Sequence, residues 1–251
     1  MGSWTIKDIT DYLYMFGVPV FYLITLVMSI IVATGMNKKI RILGVWSALS
    51  VLQSLLTKIP MTYMFMVSRE WIEYSSYDEF LITYRHMVNA SSYTGFMLII
   101  IAEILLWLYV KRAYGVGPAP LILTIGLQFI TPVVNVILHK AAQSPSGPLE
   151  YSTVMMITLV GSIFPLIITC VFFFIFFKNR GKEKDIPSFW MFRLMSLIAM
   201  VLSIGLLALS IPFYQNPSYE LWNEVFSIIM SFITIATALY LVIRSKVAVE
   251  E

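Results

Sequence analysis

Two charges stand where the chain is otherwise apolar. Lys58 lies two residues before Pro60 in SLLTKIPMTYMF (54–65), and Glu103 interrupts MLIIIAEILLWLYVKR (97–112). An ammonium and a carboxylate in such surroundings can hold each other as an ion pair, carry a proton, or form a site for an ion or an anionic ligand, with Lys58 as the binding charge. Left alone at bilayer depth, a charge costs at least ~3 kcal/mol on insertion scales, so each should face a bundle interior, find a partner or shed its charge.

Other chemistries lack their residues. His86 and His139 are the only histidines, and both fall near span ends, which argues against a buried bis-histidine haem and against a histidine metal cage. The single cysteine, Cys170, permits neither an intrachain disulfide nor a thiolate-built metal site. No HExxH, GxSxG, P-loop or dinucleotide fingerprint occurs, and no acid, base and nucleophile converge. Catalysis therefore has no support in the sequence, and no cofactor or metal is assigned.

The elements that must position the two charges are membrane helices. With 59% of residues apolar and only 12% charged, the chain needs lipid as its solvent. Seven apolar runs, each near the ~20 residues that cross ~30 Å of hydrocarbon, lie at about 12–36, 42–66, 90–111, 120–140, 152–177, 189–213 and 220–243. The runs do not alternate as barrel strands would, so the expected fold is all-α: one seven-helix transmembrane domain over 1–251. The connections are short and punctuated by Gly and Pro (GVGPAP at 115–120, QSPSGP at 143–148), which leaves no room for an attached soluble module.

Basic residues set the expected orientation. Lys38, Lys39, Arg41, Lys111, Arg112, Lys178, Arg180, Lys182, Lys184, Arg193, Arg244 and Lys246 fall on one side, twelve in all; Lys7, Arg69, Arg85 and Lys140, four, fall on the other. The positive-inside rule then puts the N-terminus outside and the C-terminus in the cytoplasm. The seventh run has no lysine before Arg244, which removes the Schiff-base residue of a retinal protein.

On this map Lys58 sits ~5 Å from the midplane, and Glu103 about 12 Å before Lys111 on the cytoplasmic side. Upright helices separate the two by ~14 Å along the membrane normal; side chains leaning toward each other, helix tilt and the Pro60 kink are expected to close the rest. Pro19, Pro60, Pro132, Pro165 and Pro212 all fall in the outer halves of five spans, where bends at similar depth would open an outward cavity. Gln53, Thr57, Thr62, Gln128, Thr131 and Asn135 are the candidate lining.

One outer segment, about 69–89, shows helical periodicity. Trp71, Tyr74, Tyr77, Leu81, Tyr84 and Val88 recur at three- and four-residue steps, the pattern of an amphipathic helix that lies on the leaflet, continues into the third span, or covers the mouth of the bundle as a lid.

These features describe a small multi-pass membrane protein of the plasma membrane with an outward-facing polar site, suited to transport or binding of a small molecule or ion. The competing readings are a non-catalytic membrane subunit of a larger complex, respiratory complexes included, and a membrane-embedded enzyme. Its expected partners are the lipid bilayer, a small-molecule or ion ligand and other membrane proteins, and not nucleic acid.

Overall fold

The computed structural model describes residues 5–38, 40–127, 129–130 and 217–246, with single positions between 163 and 179 and between 197 and 205. Among the described residues the secondary structure is helical throughout, with no strand, and four helices are long and apolar enough to cross a membrane. The expected spans at 12–36, 42–66, 90–111 and 220–243 overlap these four, the first running two residues past Thr34 and the last starting four residues before Glu224; much of those at 120–140, 152–177 and 189–213 lies outside the described residues. By contact density the chain divides into two units, Met1–Tyr109 with Ser227–Glu251, and Val110–Phe226.

The first rod starts six residues earlier than the apolar run because Thr5 and Asp8 form a capping box. The Asp8 amide donates to Thr5 Oγ1 (3.2 Å), and the Thr5 amide donates to Asp8 Oδ2 (3.0 Å). Helix α1 (Ile6–Tyr12) passes through a π turn at Leu13–Gly17 into α2 (Val18–Thr34). Pro19 explains the turn. It has no N–H for the carbonyl of Met15, four residues earlier, so the chain widens locally, with the Val18 amide reaching Leu13 O.

Helix α3 (Arg41–Ser68) returns antiparallel, for Ser29 meets Ser47 while Ala33 lies against Gly44. The crossing is close. A β-carbon on Gly44 would stand 2.4 Å from the Ala33 amide nitrogen, closer than atoms can approach, and the Ser29 and Ser47 hydroxyls share a hydrogen bond of 2.7 Å. Small residues let two backbones approach in lipid, where dispersion and interhelical hydrogen bonds replace the hydrophobic effect. Thr25 and Ser29 are fully buried here, whereas Val20, Val27 and Ile30 on the opposite side of α2 are at least half exposed. Hydroxyls inside and aliphatic side chains outside is a distribution that fits lipid rather than water.

Helix α3 closes in a Schellman motif: the Trp71 amide donates to Met66 O and that of Glu70 to Val67 O, with Glu70 at φ 59°. Residues 71–76 are not helical, and α4 (Tyr77–Tyr114) begins where Ser76 Oγ accepts the Glu79 amide (3.2 Å). The 69–89 segment is therefore helical only from Tyr77 and continues straight into the apolar run at 90–111 as one 38-residue helix. Its buried ring is Phe80, ringed by Tyr63, Tyr74, Tyr77 and Tyr84, while Tyr77 and Leu81 of the expected stripe stay exposed. The Ser-x-x-Glu signature at 76–79 marks that start in the sequence.

Helix α5 (Pro217–Lys246) has Ser231, Ala238, Leu241 and Ser245 on its buried side. Phe232 rests on Phe21 with ring centroids 4.7 Å apart, and Ser245 Cβ lies 3.1 Å from where a Gly35 β-carbon would stand. Both contacts advance in the same direction along the two chains, so α5 runs parallel to α2.

Candidate functional site

Lys58 is buried, and its ammonium lies 3.3 Å from the centroid of the Tyr14 ring. Tyr14 belongs to the π turn. Its hydroxyl donates to the Met61 sulfur at 3.9 Å, and the Thr62 hydroxyl donates to the Met15 carbonyl at 3.5 Å. Lys58, Met61 and Thr62 share one face of α3, and that face meets the π turn. Pro19 thus acts twice: it frees the carbonyl that Thr62 satisfies, and the wider turn holds Thr10, Tyr14 and Val18, all buried, along one line. A desolvated cation–π contact contributes about 2 kcal/mol, enough to offset most of the ~3 kcal/mol insertion cost of a lysine.

Glu103 is also buried, and its Oε2 has no hydrogen-bond partner. The structure does not bring it into an ion pair with Lys58; among the described residues the ion pairs within 4.0 Å join Arg69 to Asp8 and Asp11. Register is the reason. A β-carbon on Gly95 would lie 3.5 Å from Gln53 Cγ, and Tyr63 stacks on Phe80, so α3 and α4 run antiparallel with Gln53 level with Gly95. Lys58 stands five residues beyond Gln53 toward one end, and Glu103 eight residues beyond Gly95 toward the other. The two are about 20 Å apart along the axes, not ~14 Å, which is beyond the reach of their side chains.

The remaining candidates divide. Gln53 sits at the α3–α4 contact, and Thr62 belongs with Tyr14 and Met15. Thr57 is exposed and donates to Ser54 O of its own helix (2.8 Å). Pro19 and Pro60 lie in the first rod and in α3, with Pro60 buried. Gln128, Thr131, Asn135, Pro132, Pro165 and Pro212 lie outside the described residues.

Tyr14 is the residue that sequence reasoning missed. Its signal was Gly17-x-Pro19: a proline early in a span announces an orphaned carbonyl and an irregular turn just before it, and the ring at that turn is the one re-aimed.

No family model, curated protein or solved structure matches the chain. The functional reading therefore stands on the helices and on this site.

Proposed function

We propose that the protein is a seven-span membrane protein that binds or transports a small anionic molecule or ion, with Lys58 as the binding charge. The observation that carries this reading is a buried ammonium placed against an aromatic face at the one irregular turn of the first rod. A lysine needed only for insertion would gain more by snorkelling to an interface than by standing mid-helix. The adjoining π turn and Pro60 supply irregular backbone of the kind that membrane sites use. Glu103 is a second, separate acid in the same reading.

Parity supports the seven-span count. Helices α2, α4 and α5 run the same way and α3 the other, which fits an odd-numbered place for α5; the three apolar runs at 120–140, 152–177 and 189–213 support the seventh. The basic residues that end α4 and α5, Lys111, Arg112, Arg244 and Lys246, favour a cytoplasmic C-terminus and an outer N-terminus, as in a plasma membrane.

The test is ligand-dependent stabilisation of the purified protein across a panel of small organic and inorganic anions. At least one anion should raise Tm in wild type and in Lys58→Arg but not in Lys58→Met. Equal responses in wild type and Lys58→Met would remove Lys58 from the site.

A further inference from the structure

The second unit, taken by itself, contains an open cavity of about 740 Å³. One wall is formed by Ile167, Val171, Phe174, Ile175 and Lys178, each in helical conformation and spaced at three- and four-residue steps, as one side of a helix would be. The facing wall is the turn that ends α4, with Tyr114, Gly115, Gly117 and Pro120. Gly115 is at φ +67°, its amide donates to Lys111 O (2.8 Å), and a β-carbon at Gly115 or Gly117 would meet nothing within 4 Å.

The wall is graded along its length. From Ile167 to Ile175 it is apolar, and it finishes in Lys178, whose ammonium is 6.0 Å from the Phe174 ring centroid, and in buried Asn179, whose Nδ2 donates to Ile175 O (2.8 Å). At a helical rise Ile167 and Lys178 stand about 16 Å apart, which matches the ~15 Å hydrocarbon depth of one leaflet. Lys178 is the charged side chain of the cavity lining, and no acidic side chain lines the cavity among the described residues. An apolar slot one leaflet deep with a cation at its end has the dimensions and polarity of a phospholipid.

We propose that this cavity is a site for one anionic phospholipid of the inner leaflet, an acyl chain lying along Ile167, Val171 and Phe174 and the phosphate meeting Lys178. The leaflet follows from the orientation proposed above; the binding does not. A basic pocket beside helix ends on the cytoplasmic side attracts anionic head groups, and each lysine near the surface contributes about fivefold in affinity.

Native mass spectrometry of the detergent-purified protein, titrated in parallel with phosphatidylglycerol and phosphatidylcholine of the same chains, tests this directly. Wild type should retain one phosphatidylglycerol about fivefold or more over phosphatidylcholine. Lys178→Gln should bring the preference close to one, and Val171→Trp should abolish the one-to-one adduct for both lipids with Tm unchanged. Should Val171→Trp fail to fold, Cys170→Phe fills the same slot. Equal retention of the two lipids, a preference that survives Lys178→Gln, or an adduct that survives the slot-filling variant overturns the assignment. None of these outcomes depends on Lys58 or on which side faces the cytoplasm, so failure here and failure of the proposed function are seen separately.

Discussion

At Lys58 the question is what a buried ammonium rests on, and the geometry answers with the Tyr14 ring face rather than with Glu103. Tyr14→Phe keeps that face and loses the weak contact to the Met61 sulfur, so Tm should fall far less than when the ring is removed. Tyr14→Leu removes the face and should destabilise by about 2 kcal/mol, and a double-mutant cycle with Lys58→Met should return coupling of similar size. Equal Tm for the Phe and Leu variants would mean that the ring merely fills space. Glu70 offers a second residue-scale test. It occupies the left-handed position that closes α3, where a side chain costs roughly 1–2 kcal/mol and glycine costs none. After allowing for the greater freedom of glycine in the unfolded chain, Glu70→Gly should stabilise by about 0.5–1 kcal/mol, read as a rise in Tm. A fall would show that the Glu70 side chain contributes something the turn geometry does not.

The elements show what the sequence made legible and what it concealed. The hydrophobic runs located α2, α3, α4 and α5, because lipid demands about twenty apolar residues and little else. Helix ends were read less well: Thr5–Asp8 and Ser76–Glu79 extend two helices past their apolar cores, through side-chain caps that hydropathy does not weigh. The partner of Lys58 stayed hidden because pairing depends on register, and register is set by contacts such as Ser29 with Ser47 and Gln53 with Gly95, which involve small or neutral residues that carry no long-range signal. The α2–α3 crossing is where this matters most. Gly44→Ala forces the Ala33 backbone away, so it should cost more than the few tenths of a kcal/mol of an ordinary surface change, and Gly44→Leu should prevent the two helices from docking. Loss of folded, monodisperse protein in Gly44→Leu but not in a substitution at the exposed Val45 would register this; equal behaviour would remove the close approach.

Across the whole molecule, helix direction and charge bear on the same unknown, the number and sense of the membrane crossings. With α2, α4 and α5 parallel, the proposed membrane topology requires an odd number of crossings between α4 and α5, and the three apolar runs of the sequence between them favour three over one. Three crossings put residue 144 and residue 181 on opposite sides; a single crossing leaves room for both on one side. The basic run that begins at Lys178 assigns the second of these to the cytoplasm. A cysteine introduced at Ser144 should therefore react in intact cells with a maleimide that cannot cross the membrane, and one introduced at Gly181 should react only after permeabilisation, with Cys170 replaced by Ser in both. Reaction at both positions in intact cells would point to a single crossing and five spans. Reaction at Gly181 alone would keep seven spans but invert them, moving the Lys58 and Tyr14 site to the cytoplasmic half and the Lys178 cavity to the outer leaflet.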